Sequence, residues 1–286
     1  MATSKPDIKA LVGQMPDSDK PGETSKFTGP DPGKAEDIYA GILSGGRDSL
    51  LELIAVLRDP NDPSPKDFRA EYVLHGLAIY VGRPEKKQQR KMFAETLALQ
   101  LGNPKVPIAV QEFLIRELQV AGGAEVVKAL GKMLANEQLC EAAAQALIAI
   151  GDGAAKQLRS ALSKAKGRCR VTIVQNLGVV RDASSARVLR KCLSDPNSDM
   201  RLAAAWALAR IGDSGSVALL LKTADVEPGW ERIKATQACL LLAENLAAKR
   251  KKRDAAKIYT HLRDSRTDPK ERYVRDVAEK RLTAIG

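Results

Sequence analysis

The stretch Asp195-Pro-Asn-Ser-Asp-Met-Arg-Leu-Ala-Ala-Ala-Trp-Ala-Leu-Ala-Arg-Ile-Gly-Asp213 decides the fold. It is an alanine-rich apolar run that closes on Ile211-Gly-Asp-Ser-Gly, and that ending stacks with three others upstream: Val120-Ala-Gly-Gly-Ala, Ile150-Gly-Asp-Gly-Ala and Val180-Arg-Asp-Ala-Ser. Their first residues lie 30, 30 and 31 positions apart. After each ending comes a short apolar helix (Val126 to Leu134, Ala154 to Leu162, Ala186 to Leu193, Val217 to Leu221), then a polar break, then a second helix. A two-helix unit of this size cannot bury its apolar faces alone, so neighbours stack and share a continuous core. Glycine or aspartate at the break admits a left-handed cap and a tight turn. The triple alanines at 142–144 and 203–205 let helices approach closely.

With its Ala-Leu-x-x-Ile-Gly-Asp ending, the 195–213 stretch resembles the HEAT-like repeat also found in phycobilisome lyases. The resemblance runs from about 120 to 225. Ser49 to Leu57 with Phe68 to Gly82, and Lys87 to Leu101 with Pro107 to Val120, read as two further, off-register units. Degenerate terminal units suit a solenoid, whose caps present a polar outer face. The segment Leu241-Leu-Ala-Glu-Asn-Leu, a basic turn, and Asp254-Ala-Ala-Lys-Ile-Tyr-Thr-His-Leu resembles a tetratricopeptide helix pair. A last helix, Lys270 to Ile285, caps the stack with Tyr273, Val277 and Leu282 expected inward. The expected fold is therefore all-α: a right-handed α-solenoid of stacked helix pairs over residues 35–245, behind an extended or disordered arm (1–34) and ahead of a basic cap (246–286). The arm holds five prolines and four glycines, and only Ile8 to Val12 can form a helical turn there.

The composition agrees. The 286 residues allow one large domain or two ordinary ones, and periodicity favours one elongated stack. Aromatic residues make up only 4%, as thin alanine and leucine layers require. The formal charge of +11 makes an acidic partner or nucleic acid worth testing. Residues 246–286 hold 13 basic and 6 acidic side chains, whereas 1–60 hold 7 and 10, so the charge is polarised toward the C-terminal end. No apolar run is long enough to cross a bilayer, and residues 1–7 do not open a signal peptide. The chain as given reads as soluble and cytoplasmic, with export of a longer precursor left open.

Signatures of catalysis are missing. Cys140, Cys169, Cys192 and Cys239 form no CxxC pair and read as small buried side chains in a reducing compartment. His75 and His261 lie far apart, so no metal site is expected, and no His-Glu pair of the HEAT-like iron hydroxylases occurs. There is no phosphate loop, GxGxxG or GxSxG. No cofactor is expected.

Two registers on the second helices do stand out. Arg170, Arg201 and Arg232 recur at intervals of 31. They form either a basic ladder for phosphates or carboxylates, or ion pairs along the stack. In HEAT-like repeats an aspartate six residues earlier pairs with such arginines; Asp195 precedes Arg201 in this way, but Lys164 and Val226 occupy that place before Arg170 and Arg232. The second register is Gln145, Gln175, Trp206 and Gln237. Its place in the repeat implies an off-core position, where Trp206 either anchors a partner or fills a gap between helices. Trp230, after Pro228-Gly229, is expected to pack at a helix start. Lys249, Arg250, Lys251, Lys252 and Arg253 form the densest charge run, a solvated loop or a docking patch.

These features suggest a non-enzymatic scaffold gripping a protein or peptide, acidic in character, on the concave face lined by second helices. The first alternative is nucleic-acid binding, as in the HEAT-like DNA glycosylases that the fold resembles. A bilin-lyase-like enzyme, implied only by the resemblance, is the second.

Overall fold

The computed structural model describes residues 6–16, 30–59, 62 and 68–285. Among these residues there are sixteen α-helices and no strand. The chain divides into two compact units, residues 1–157 and 158–286, and the sequence periodicity runs through that boundary.

In the first unit, α1 (Ile8–Val12) is followed by α2 (Pro32–Ser44), α3 (Gly46–Ala55), α4 (Arg69–Val81), α5 (Lys87–Ala98), α6 (Ile108–Ala121), α7 (Val127–Met133) and α8 (Cys140–Ile150). The short α1 starts at Asp7, whose side chain accepts from the Ala10 amide. It buries Ile8 and Val12 and packs on α2, α3 and α4. The helical turn expected in the arm thus belongs to the core; most of the remaining arm, 1–5 and 17–29, lies outside the described residues. Helices α4, α6 and α8 pack in succession, with α5 against α6 and α7 against α8.

The boundary falls within α9 (Ala154–Leu162). The second unit continues with α10 (Gly167–Val179), α11 (Ala186–Cys192), α12 (Ser198–Ile211), α13 (Val217–Ala224), α14 (Trp230–Ala248), α15 (Lys252–Ser265) and α16 (Arg272–Ile285). Second helices α10, α12 and α14 lie side by side, backed by α11 on α12 and α13 on α14. The alanines explain how close they come. Ala203, Ala204, Ala205, Ala207 and Ala209 are all buried. At Gly178 a Cβ would meet the Ala207 Cα at 2.6 Å, so glycine is required where α10 and α12 touch.

The caps follow the expected chemistry at two of the four endings. Gly151 and Gly212 are left-handed, with φ of 78° and 72°. Arg181 takes the same conformation at φ 51°, whereas Gly122 stays at negative φ.

The C-terminal cap departs from the sequence reading in two ways. Leu241 to Leu246 do not form a separate helix but continue α14 without a break from Trp230 to Ala248, so one helix serves both the last repeat and the cap. In α16 the inward residues are Val274 and Ala278; Tyr273 is 54% exposed, Val277 is exposed and Leu282 is half-buried. The helix phase explains the shift. Glu271 is held by Arg232 just before α16 begins, and Arg275 donates to the Arg266 carbonyl at 2.6 Å, which turns the 274/278 stripe toward α15.

Candidate functional site

Positions 31 apart on α10, α12 and α14 fall on the same outward face of the second unit. Gln175 and Gln237 are exposed, and Trp206 between them is half-buried. A Cβ on Gly178 would lie 3.0 Å from the indole Cζ3, and the Arg210 guanidinium lies 5.4 Å from its ring centroid. One edge of the indole therefore packs on α10 while the rest remains accessible. Gln145 is exposed on α8 and belongs to the first unit.

The same face carries apolar side chains that the sequence reading passed over. Val171 and Leu202 are half-buried and Ile233 is 42% exposed, at intervals of 31 and four residues before the Gln/Trp register. Val179 is partly exposed on α10. Trp230 is not packed at its helix start: it is 67% exposed, with the Lys234 Nζ 4.4 Å from its ring centroid. The equal intervals of Val171, Leu202 and Ile233 are the signal that could have found this row.

The structure gives all three ladder arginines partners within the second unit. Arg170 donates to Asp195 at 3.1 Å. Arg201 forms a two-pronged pair with Glu231 at 2.7 and 2.8 Å and also reaches the carbonyls of Asp195 and Pro196. Arg232 grips Glu271 at 2.7 and 2.6 Å and reaches the Val226 carbonyl. The contact six residues back is thus to a backbone carbonyl, which valine supplies as well as aspartate. Two-pronged guanidinium–carboxylate pairs are among the stronger charged contacts. The Arg232 hydrogen bond holds the Glu271 carboxyl below the usual carboxylate range despite some burial.

Partners also occupy part of the basic turn. Lys249 donates to the Ile211 carbonyl at 2.7 Å, closing the C-terminal end of α12, and Lys251 donates to Ser214. Arg250 sits at φ 58° in the turn, and Lys252 and Arg253 open α15; all three are exposed. At the other end of α15 lies a charged residue that the sequence did not signal. Arg266 has a side chain only 1% exposed, yet donates to Asp225, Ser265 and the Ala224 carbonyl, and its Nε lies 3.7 Å from Glu271. His261 completes the cluster at 2.8 Å from Asp225. Burial opposes ionisation of Asp225, but hydrogen bonds to His261 and Arg266 outweigh it and lower its pKa.

Little in this arrangement is reactive. All four cysteines are free and buried, and burial pushes the Cys239 thiol up to about 12, far from a reactive thiolate. Among the described residues no cluster of His, Cys, Asp and Glu could hold a metal ion. His75 meets one carboxylate, the buried Glu117, at 3.0 Å.

A family model described as HEAT repeats matches residues 155–240. Gln175, Trp206, Gln237 and the three ladder arginines lie within the matched residues. Three solved structures are similar at low identity. One is a chain of the complex of CpcE and CpcF of phycocyanin lyase from Nostoc sp. (17% identity, 92% of this chain, 100% of that one, TM-score 0.40). Another is human deoxyhypusine hydroxylase in complex with glycerol (14% identity, 97% and 96%, TM-score 0.34). The third is an engineered protein (20% identity, 83% and 97%, TM-score 0.33). No curated protein matches the sequence.

Proposed function

We propose that this protein is a binding module without catalytic chemistry of its own, which takes a protein segment on the outward face of α10, α12 and α14. The observation that carries this reading is the half-buried Trp206, flanked by exposed Gln175 and Gln237 and bordered by the Val171, Leu202 and Ile233 row. Large amphipathic rings in such positions are common energetic centres of interfaces, with amides supplying adaptable hydrogen bonds at the rim. The partner would be acidic, because residues 158–286 hold 27 basic against 14 acidic side chains while residues 1–157 hold 19 against 21. The ladder arginines support the site by fixing the helices rather than by meeting the partner. Placing a photo-crosslinking residue at Gln175 or Gln237 and treating source lysate tests the reading. A discrete adduct from both positions, lost on Trp206→Ala, is expected; adducts unchanged by Trp206→Ala would overturn it.

The charge division also favours a second reading, that the 158–286 unit binds nucleic acid through its backbone phosphates. Titrating fluorescent duplex and single-stranded DNA at low salt decides it, since phosphate binding is strongest there; no binding at low salt disposes of the reading.

A further inference from the structure

A cleft of about 680 Å³ opens in the second unit, lined by residues from the end of α9, the start of α10 and the turn leading into α11. Its volume lies within the range of small-molecule sites, about 300–1,000 Å³. Three cations line it: Arg159, Lys166 and Arg170. Ser163 and Ser184 contribute hydroxyls, that of Ser185 being donated to Asp182, and Leu162 and Val188 form an apolar wall. Two of these cations are partly committed, Arg159 to Asp182 and Arg170 to Asp195 and the Cys192 sulfur. Each guanidinium carries five N–H donors, and these bonds use one nitrogen of Arg159 and two of Arg170. Lys166 is exposed and pairs with no acid among the described residues.

The start of α10 adds to the anomaly. Acids are favoured at a helix N-terminus and cations disfavoured. Helices α8, α12 and α14 follow this rule with Glu141, Asp199 and Glu231 in their first turns. Helix α10 has no acid in its first turn, and Lys164, Lys166, Arg168 and Arg170 stand around its start in the sequence. At Gly167, which lines the cleft, a Cβ would meet nothing within 4 Å, so the approach is open. Cations gathered where the helix field repels them, around a cleft with hydroxyls and an apolar wall, are matched by a small ligand that brings negative charge and an apolar body together.

We propose that this cleft is a binding site for small organic phosphates, with the phosphate held by Lys166 and the free donors of Arg159 and Arg170 and the organic part lying against Leu162 and Val188. Arginine forks and lysine charges are the side chains suited to phosphate. The site is separate from the Trp206 face and does not depend on it.

Backbone-amide NMR of the full chain tests the proposal, with phenyl phosphate and inorganic phosphate as probes at constant ionic strength. Phenyl phosphate is expected to give saturable shifts centred on Gly167, Ser184 and Ser185, and to bind more tightly than inorganic phosphate. Lys166→Glu should weaken it by about tenfold or more without lowering the thermal midpoint, since an acid is favoured at a helix start. Equal affinity for the two probes would exclude an organic phosphate and leave a simple anion site. Absence of saturation, shifts of equal size at Lys249–Arg253, or full affinity in Lys166→Glu would each overturn the proposal.

Discussion

Arg181 holds a left-handed backbone where two sister caps use glycine. A side chain in that conformation costs roughly 1–2 kcal/mol, partly offset by the entropy that glycine loses on folding. Arg181→Gly should therefore stabilise the chain by about 0.5–1 kcal/mol in urea denaturation. Arg266 presents the opposite case, a buried charge whose value lies in its partners. Arg266→Met should cost about 3 kcal/mol, the scale for removing one side of a buried pair. The surrounding carboxyls give this cluster a pH signature. Asp225 and Glu271 are both held below their ordinary values, so as pH falls the unfolded chain takes up protons first. The stability they supply is complete above the ordinary carboxylate range and is lost as pH drops through it toward the lowered values. Glu117 runs the other way: burial raises its pKa, only partly countered by His75, so its ionisation weakens the fold as pH rises through the raised value. Urea midpoints measured from pH 3 to pH 7 should show a steep acid limb, and Glu271→Gln should flatten it.

Close helix approach makes the packing of α10 on α12 sensitive to a single methyl group. Gly178→Ala would place its Cβ 2.6 Å from the Ala207 Cα and 3.0 Å from the Trp206 ring, so the helices must part. Overpacking of this kind costs about 1–3 kcal/mol, and Trp206 fluorescence should shift as the ring is displaced. The helix order was legible in the sequence because the repeat spells out its own period, with apolar faces and glycine breaks recurring at 30 or 31 residues. So was the outward place of Gln175 and Gln237, since they share the register of Trp206, whose two neighbours along the helix are core alanines. The arginine partners were not legible. Arg170, Arg201 and Arg232 recur regularly, but Asp195, Glu231 and Glu271 follow them at 25, 30 and 39 residues, with no common interval to read. The phase of α16 was missed for a related reason: tertiary anchors at Glu271 and Arg275 set it, and the local pattern of Tyr273, Val277 and Leu282 does not contain them.

The charge of +11 resolves into a basic 158–286 unit and a slightly acidic 1–157 unit. Fields from exposed charges act over about 30 Å at ~0.01 M salt and about 8 Å at ~0.15 M. Association of the second unit with an acidic partner should therefore slow markedly across that range, while dissociation, governed by the Trp206 contacts, should change little; stopped-flow mixing separates the two. Helix α14 has a further consequence for where such a molecule can accept an inserted unit. Because Trp230–Ala248 is one unbroken helix packed against both α12 and α15, no seam runs between the repeated helices and the last two. A duplicated unit inserted in the turn at Asp213, between α12 and α13, should be accommodated, whereas the same segment placed between Ala248 and Lys252 would split the cap from its own helix. The last two helices are in this sense spliced onto the repeated ones, and the charged cluster around Arg266 is the fastening that holds them.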